Sequence, residues 1–390
     1  MIQIDFNDTK LAFQSKTNKD LKRAYFLFKF IDHPFIVITG KKLLFLAMFI
    51  RFPVKWIVKP TIFKNFCGGE SITESNKIVQ KMAKYNVKSI LDYSVEGKEN
   101  TEDIEKAMNE TIRSVKNASS NENIPFAVFK PTAFSAGSVL EKASAGQQLN
   151  EDEKRDLGLF KSRVDTLCKT AYKLNVPVLI DAEDYCYQNI IDEVVREMML
   201  KYNKSKAIVF NTLQMYRWDR LDFLRNELKL AHRDNYQLGI KFVRGAYMEK
   251  ERARAKKLGY PSPIHPDKKS TDRDYNKALE FSVQNIEKIA IFNGTHNEHS
   301  SLYLAELMEN YGIKKNDQRI FFSQLYGMSD HVSFNLAEKG YNVAKYLPYG
   351  PVKNVMPYLM RRAEENTSVA GQTNRELELI KKELKRRKKQ

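Results

Sequence analysis

The chain has 390 residues, with 65 Lys and Arg against 48 Asp and Glu, and a formal net charge of +17. This length can bury a substantial core, as one large domain or as one domain with an arm. The positive charge allows anionic substrates or anionic lipid as partners. Because the sequence contains no paired Cys/His spacing, RNP-like motif or basic region with heptads, we predict no nucleic-acid binding.

Residues 1–87 are predicted to form an N-terminal helical arm. Residues 1–8 are acidic and have no secretory or transit pattern. Residues 24–66 are strongly apolar and aromatic, but Lys and Arg interrupt them, and the uncharged piece 43–50 is shorter than the roughly 20 residues of a membrane-spanning helix. Such a segment is typical of helices that pack on a folded core or lie on a membrane surface, and both alternatives stay open.

Residues 88–372 contain eight short runs rich in Val, Ile and Phe, each followed by a helix-length segment. The runs are residues 89–93, 126–129, 176–180, 207–210, 238–243, 288–292, 319–322 and 341–346. This alternation predicts βα units and a parallel sheet, and eight units favour a (β/α)8 barrel, which typically needs about 250 residues. An open doubly wound sheet is the alternative, although no Gly-x-Gly-x-x-Gly follows the first run.

Polar residues follow every apolar run, as in Asp181-Ala-Glu183 and Arg244-Gly-Ala-Tyr247. In a barrel these ends meet at the carboxyl-terminal mouth, where barrel enzymes carry their chemistry. One polar strand end is ordinary, because chains leave a sheet into water. Polar residues after all eight apolar runs favour a catalytic barrel over a barrel with only a structural role.

Near the C-terminus, Tyr358, Arg361, Arg362 and Glu365 share one face if the segment is helical. Two guanidinium groups beside an aromatic ring can bind a carboxylate or phosphate, and the alternative is a solvated basic face. Residues 373–390 form a basic tail that we predict to be frayed and solvated.

Cysteines and histidines give weaker signals. An odd count of three cysteines predicts reduced thiols in a reducing compartment. Cys186 lies near a strand end, but a small buried apolar role is favoured over a nucleophile. His296 and His299 are three residues apart, and two histidines alone do not predict a metal site.

Several sequence blocks, in order along the chain, resemble the proline dehydrogenase family of flavoenzymes. They are LDYSVEG at 91–97, KPT at 130–132, IDAE at 180–183, KFVRGAY at 241–247, THN at 295–297, QLYGM at 324–328 and YLMRR at 358–362 with Glu365. The resemblance runs from about residue 6 to 372. It implies a distorted (β/α)8 TIM-like barrel that binds FAD and oxidises L-proline to Δ1-pyrroline-5-carboxylate, passing electrons to a membrane quinone.

The resemblance also implies roles for individual residues. Asp181 and Lys241 match catalytic positions, and Glu70 matches a gate that closes by pairing with Arg361. Residues matching substrate contacts are Lys130, Tyr247, Leu325, Tyr346, Tyr358, Arg361 and Arg362. Residues matching cofactor contacts are Ala182, Gln214, Arg244, Gly245, Ala246, Thr295, His296 and Glu365. Lys241 departs from the arginine of many bacterial relatives. A lysine keeps the positive charge but lacks the planar guanidinium that can donate two parallel hydrogen bonds.

The resemblance further implies a stand-alone enzyme without an aldehyde dehydrogenase domain. We expect it in the cytoplasm, attached peripherally to an anionic inner face of a bacterial plasma membrane. The alternatives are a hydroxyproline dehydrogenase, disfavoured by the bulky Tyr346, and a catalytically idle protein that binds membrane surfaces.

Overall fold

The structure, a computed structural model, describes residues 4–33, 35, 37, 39–40, 42–43, 49, 54–94, 100–368 and 372–389. Eight parallel strands lie within these residues, labelled β1 to β8 in chain order. They are Val87–Tyr93, Ala127–Phe129, Val178–Ile180, Val209–Gln214, Leu238–Val243, Ile289–Gly294, Ile320–Leu325 and Val343–Tyr349. Their order in the sheet is β1-β8-β7-β6-β5-β4-β3-β2. The prediction of a TIM-like (β/α)8 barrel is confirmed, because every predicted run overlaps one of these strands.

Strand β4 extends beyond the predicted apolar run, through four residues that we expected to follow the strand. Its polar side chains are buried and have partners. The Asn211 Nδ2 group donates to Asp192 at 3.0 Å, and the Thr212 hydroxyl donates to the Ile180 carbonyl at 2.7 Å. Because buried polar groups are tolerated when they are hydrogen-bonded, the strand continues to Gln214.

Helices connect the strands and cover both termini. They are Thr9–Ala12, Asn18–Ile31, Lys55–Val58, Lys64–Phe66, Ile72–Ala83, Thr101–Ser119, Gly137–Ser144, Glu151–Lys173, Tyr185–Tyr202, Arg220–Arg233, Met248–Leu258, Lys268–Gln284, Glu298–Asn310, Asp330–Glu338, Met356–Ser368 and Gln372–Lys388, with a π-helix at Lys59–Phe63 and a 3₁₀-helix at Pro131–Phe134. Capping boxes begin two of them, with Thr17 and Asp20 at one and Asn150 and Glu153 at the other. Within the described residues, no helix combines the length and apolar content needed to cross a membrane.

One compact unit comprises Met1–Ile2 and Gly97–Ser323. Its core includes an aromatic cluster in which Phe126 packs edge-on against Phe210, Phe292 and Phe321, with ring centroids 4.9 to 5.4 Å apart. Such edge-to-face pairs add to the stabilisation from area burial. The cluster gives these strands a rigid base for the polar residues at their carboxyl ends.

The second compact unit comprises Gln3–Glu96 and Gln324–Gln390. Its apolar cluster joins the helix Asn18–Ile31, the residues around Phe63 and Phe66, and the C-terminal helices. The described helices of the N-terminal arm therefore pack into a core within this unit. The predicted domain boundaries remain a prediction.

The prediction of a frayed, solvated basic tail is wrong, because Gln372–Lys388 is a helix that packs on Asn18–Ile31. Leu377, Ile380 and Leu384 lie three and four residues apart and form its apolar stripe. Glu383 is fully buried and accepts hydrogen bonds from Arg386 and Arg387 at 2.8 and 2.6 Å. The basic residues thus serve the packing of the helix.

Candidate active site

Three residues predicted to act on the substrate meet around Asp181, which directly follows β3. The Lys241 ammonium donates to Asp181 Oδ1 at 2.6 Å, and the Lys130 ammonium donates to Oδ2 at 3.4 Å. Lys241 lies on β5, and Lys130 follows β2. The exposed fraction of the side chain is 14% for Asp181, 8% for Lys241 and 16% for Lys130. The carboxyl-terminal ends of three parallel strands of one sheet therefore bring these residues together, as predicted from their strand positions.

This cluster holds one carboxylate between two ammonium groups in a partly desolvated environment. Charge-assisted hydrogen bonds are stronger than neutral ones, and reduced solvent strengthens them further. The Lys241 side chain is thereby fixed in position beside the carboxylate. A fixed cation at a strand end can stabilise negative charge that develops nearby during a reaction.

A second cluster surrounds Arg244, one residue after β5. Its guanidinium donates to Asp272 at 2.8 Å, to the Thr295 hydroxyl at 2.7 Å and to the Ser300 hydroxyl at 3.0 Å. It also lies over the Tyr275 ring, 4.3 Å from the centroid. Two predicted cofactor residues, Arg244 and Thr295, are thus in direct contact, and the guanidinium plane is held on several sides.

The backbone after Arg244 is bare and accessible. Gly245 has a φ of +130°, and an added Cβ would lie 2.5 Å from the Tyr216 ring, so only glycine fits this position. Gly245 and Ala246 are exposed. Tyr247 is half-buried, caps the helix Met248–Leu258 and has the Lys250 ammonium 5.7 Å from its ring centroid.

Glu183 is a site residue that was quoted in a sequence block but given no role. Its carboxylate accepts from the Thr132 backbone N–H at 2.9 Å and from the Thr132 hydroxyl at 2.7 Å. Its carbonyl accepts from Gln214 Nε2 at 3.1 Å. Burial raises the pKa of Glu183 to about 7, against the opposing effect of the Thr132 hydrogen bonds. Glu183 therefore ties together the ends of β2, β3 and β4.

The remaining predicted residues of this unit occupy the same strand ends. Ala182 lies between Asp181 and Glu183 and is half-buried, as is His296, which follows Thr295. The sequence signal that could have identified Glu183 was a second acidic residue, two positions after Asp181, at the end of the same strand. Its burial could not be read from the sequence.

The other compact unit carries the remaining predicted substrate residues. The predicted helix is present as Met356–Ser368. Within it, the Arg362 guanidinium lies 5.6 Å from the Tyr358 ring centroid, and both side chains are buried. Arg361 is half-buried, and Glu365 lies outside the residues whose side chains the structure describes.

Tyr346 and Leu325 also belong to this second unit. Tyr346 lies on β8 and is 8% exposed, and its carbonyl accepts from the backbone N–H of Tyr326 at 2.9 Å. Leu325, the last residue of β7, packs against the apolar cluster that contains Tyr358. Predicted substrate-lining residues are therefore apolar neighbours within this unit.

Glu70, the predicted gate, has different partners from those expected. In the described part of the chain its Oε1 atom pairs with Lys59 at 2.5 Å and Lys55 at 2.9 Å rather than with Arg361. Burial opposes ionisation, but these two lysines outweigh it and hold the pKa of Glu70 below its ordinary value. Both lysines come from the neighbouring helical segment at residues 55–63, and the role of Glu70 as a gate stays a prediction.

The cysteines show no activated thiol. Cys67 and Cys168 are buried, and burial raises the pKa of Cys186 to about 11. A raised pKa disfavours the thiolate, which is the reactive form. Among the residues that the structure describes, no group of three or more His, Cys, Asp and Glu could hold a metal ion.

Comparison with known proteins gives a consistent result. The family model described as proline dehydrogenase matches residues 75–375. A mitochondrial proline dehydrogenase 1 of Dictyostelium discoideum is 32% identical over 97% of this chain and 74% of its own length. The carbapenem antibiotics biosynthesis protein CarD of Pectobacterium carotovorum subsp. carotovorum is 34% identical over 83% of each chain.

Among solved structures, proline utilization A (PutA) from Bdellovibrio bacteriovorus, inactivated by N-propargylglycine, aligns with a TM-score of 0.73 at 21% identity. The alignment covers 92% of this chain but only 38% of that longer chain, and supports the fold alone. The family-model match spans most of the sequence, and the Dictyostelium relative aligns with 97% of this chain. This chain therefore belongs to the proline dehydrogenase family of enzymes.

Proposed function

We propose that this protein is an FAD-dependent proline dehydrogenase that oxidises L-proline to Δ1-pyrroline-5-carboxylate and passes the electrons to a membrane quinone. The observation that carries the proposal is the Asp181–Lys241–Lys130 cluster at three strand ends, in a chain of this family. We assign Asp181 and Lys241 to catalysis. The idle binding protein is disfavoured because the cluster is intact.

The donor set around Arg244 fits a flavin dinucleotide. Gly245 and Ala246 are exposed and carry little or no side chain, so a ligand can approach their backbone. Cationic and neutral donors from Arg244, Gln214 and Thr295 suit carbonyl and phosphate oxygens. We assign these residues, with Ala182, His296 and Glu365, to FAD. Bound FAD supplies the hydride acceptor, which no side chain can provide.

The residues of the chain bind and orient the substrate. Lys241 is fixed by Asp181, so its charge is in place before the reaction begins, which avoids a reorganisation cost. We assign Arg361 and Arg362 to the proline carboxylate, because two guanidinium groups beside the Tyr358 ring match the charge and the planar geometry of a carboxylate. Lys130 carries a positive charge suited to the same carboxylate. Tyr358 and Leu325 offer apolar surface for the ring, and we assign Tyr247 to the same role.

Hydroxyproline oxidation is the second candidate, and Tyr346 bears on it. This ring is almost fully buried on β8, so little space remains beside it for an added hydroxyl. A site that excludes a polar group by bulk discriminates against the larger substrate. We therefore favour proline.

The quinone acceptor requires access to a bilayer, and we propose peripheral attachment to an anionic membrane surface, in bacteria the inner face of the plasma membrane. The described helices offer no spanning segment. Attachment through amphipathic helices and basic residues is the physical alternative.

A dye-linked assay tests the proposal. The purified protein should show flavin absorbance and reduce a soluble electron acceptor when L-proline is added. Trans-4-hydroxyproline should be oxidised with lower kcat/KM. A colourless protein, or a yellow one that ignores proline, would contradict the assignment.

A further inference from the structure

A large cationic cavity lies within the unit that contains the N-terminal arm. It has a volume of about 960 Å³ and is partly walled by Trp56, Phe63 and Met82. Among the described residues that line it, six are cations and two are carboxylates: Lys16, Arg23, Lys55, Lys59, Lys64 and Lys81, with Asp20 and Glu74. An excess of positive charge beside an apolar wall suits a ligand with an anionic head and an apolar portion.

The rim of this cavity exposes large apolar side chains. Trp56 is 81% exposed and Ile57 is 62% exposed, and both lie in the short helix Lys55–Val58. Trp56 also lines the cavity. Soluble surfaces rarely expose adjacent residues of this size unless they contact a partner or a membrane. Tryptophan in particular favours the boundary between water and lipid.

The helix Asn18–Ile31 repeats this chemistry. Its exposed face carries Lys22, Phe26, Lys29 and Phe30 at helical spacing, and both Phe rings are more than half exposed. Its opposite face is buried in the core of the unit. Arg23 of the same helix lines the cavity. Basic residues interleaved with exposed aromatic rings are typical of helices that lie in a lipid interface.

We propose that this cavity binds the phosphate headgroup of an anionic membrane lipid, while Trp56 and Ile57 enter the interface beside it. A free phosphate would use the cations and leave the exposed Trp56 and Ile57 side chains without a role. A nucleic acid would likewise gain little from an exposed isoleucine. A lipid surface uses both features, because its headgroups are anionic and its acyl chains lie a few ångströms deeper.

Three of the cavity lysines already hold a carboxylate of this protein, since Lys16 pairs with Asp330 and two others share Glu70. Lys59 and Lys55 pair with Glu70 at 2.5 and 2.9 Å. A headgroup phosphate in the cavity therefore competes with Glu70 for these ammonium groups. Removing the Glu70 charge should tighten lipid binding, which is opposite in sign to the effect of removing a cavity lysine.

Two tryptophans provide matched reporters for the test. The variant Trp218→Phe leaves Trp56 as the reporter, and Trp56→Phe leaves Trp218, which is 57% exposed in the other compact unit. Fluorescence is titrated with vesicles of equal phosphatidylglycerol and phosphatidylcholine, and with phosphatidylcholine alone. We expect a blue shift from Trp56 on anionic vesicles and none from Trp218. A shift from Trp218 only, or equal binding to both vesicles, would overturn the proposal.

Charge variants locate the headgroup. Lys64→Gln with Lys81→Gln should weaken vesicle binding roughly 30-fold, since each basic residue near an anionic leaflet contributes about fivefold. The control pair Lys256→Gln with Lys257→Gln, exposed on the helix Met248–Leu258, should change it less than twofold. Glu70→Gln should strengthen binding, and NaCl raised from about 0.05 to 0.5 M should release the protein. Equal weakening by both lysine pairs would indicate a nonspecific effect of net charge and overturn the cavity assignment.

Soluble competitors separate the sources of phosphate. If glycerol phosphate at millimolar concentration occupies the cavity while vesicle binding stays unchanged, the cavity is a small-anion site separate from the lipid contact and the lipid proposal fails. If a DNA duplex binds through Lys64 and Lys81 with greater affinity than vesicles, a nucleic acid is the partner. The inference rests on the proposed function only for the biological reason to approach a bilayer. Vesicle binding is measured without turnover, so its failure leaves proline oxidation untouched.

Discussion

Two aspartates, one in each compact unit, are each held between two lysines, yet their surroundings differ. Around Asp181 the N–O distances are 2.6 and 3.4 Å, and around Asp330 they are 2.7 and 2.8 Å. The Asp181 side chain keeps 14% exposure, whereas Asp330 keeps 3% and its partner Lys345 keeps none. Asp330 and Lys345 are therefore closed to a ligand and only Lys16 keeps 16% exposure, whereas all three side chains of the Asp181 cluster stay partly exposed.

The closed cluster, which consists of Asp330, Lys16 and Lys345, holds the loop at residues 328–329 in place. The Lys345 ammonium also donates to the Met328 carbonyl at 2.5 Å, just before Ser329, which has a φ of +49°. The Ser329 N–H in turn donates to the buried Glu376. Burial opposes ionisation of Asp330, but Lys16 and Lys345 outweigh it and keep its pKa below the ordinary value. Left-handed non-glycine residues persist where their surroundings determine them, so this cluster is structural.

The comparison shows that a carboxylate between two ammonium groups is not by itself a sign of catalysis. The Asp181 and Asp330 clusters differ in the exposure of the aspartate side chain and in the longer of the two N–O distances, which is 3.4 Å for Asp181 and 2.8 Å for Asp330. A 3.4 Å contact at a strand end can exchange for a substrate or cofactor oxygen. The short contact with Lys345, which is fully buried, cannot exchange without opening the fold.

Breaking the closed cluster should give the largest loss of stability. Lys345→Met removes one buried partner of Asp330 and should lower the free energy of unfolding by about 3 to 5 kcal/mol. The exposed control Lys106→Met, which breaks a surface pair with Glu102, should cost less than about 0.5 kcal/mol. Urea unfolding measures both. Equal values for the two variants would show that the Asp330 cluster is not structural.

Breaking the open cluster, which consists of Asp181, Lys241 and Lys130, should instead reduce catalysis. Lys241→Met removes a positioned cation and should lower kcat for proline by roughly 10²- to 10³-fold, with little change in Tm. Lys241→Arg keeps the charge and should retain most of the activity. Steady-state assays with a soluble dye measure this. A Lys241→Met enzyme with unchanged kcat would remove Lys241 from catalysis.

Arg362, which we assign to the proline carboxylate, extends the same comparison. Its side chain is buried but belongs to neither the Asp181 cluster nor the Asp330 cluster. Arg362→Met should raise KM for proline, and the lost charge-assisted pair corresponds to about 2 to 5 kcal/mol in kcat/KM. Arg233→Met, at a side chain that is 68% exposed, is the matched control. A normal KM in Arg362→Met would exclude this arginine from the substrate site.

Glu183 should give a pH dependence opposite to that of Asp330. Its pKa is raised from 4.5 to about 7, so the folded state keeps a proton that the unfolded state releases. Stability should fall as pH rises from about 4.5 to 7, by at most about 3 kcal/mol, whereas the Asp330 contribution is lost below about pH 4. Unfolding near pH 5 and near pH 7.5 measures the slope. Glu183→Gln should flatten it, and Glu102→Gln, an exposed control, should leave it unchanged.

The smallest expected effect concerns substrate choice. Tyr346→Ser should lower kcat/KM for proline by roughly 1 to 3 kcal/mol and favour trans-4-hydroxyproline relative to the parent enzyme. Tyr172→Ser, at a tyrosine that is 52% exposed, controls for loss of a ring elsewhere. Unchanged discrimination between the two substrates would show that Tyr346 does not select against the ring hydroxyl.

Much of the fold was predictable because its signal is local. Alternation of apolar runs with helix-length segments predicted all eight strands, and the position of Asp181 and Lys241 after or within their runs predicted that they would meet. The helical spacing of Tyr358 and Arg362 likewise placed them on one face, where they are in contact. Such periodicities depend on neighbours a few residues apart, which a single sequence contains.

Only the tertiary structure decided which charges are paired and which are buried. Glu70 pairs with Lys55 and Lys59, the basic tail folds as a helix, and Glu183 has a pKa near 7. Each of these depends on residues brought together from different elements, and on how much water their packing excludes. Burial and ion pairing are properties of the assembled core, so composition and spacing along the chain do not determine them.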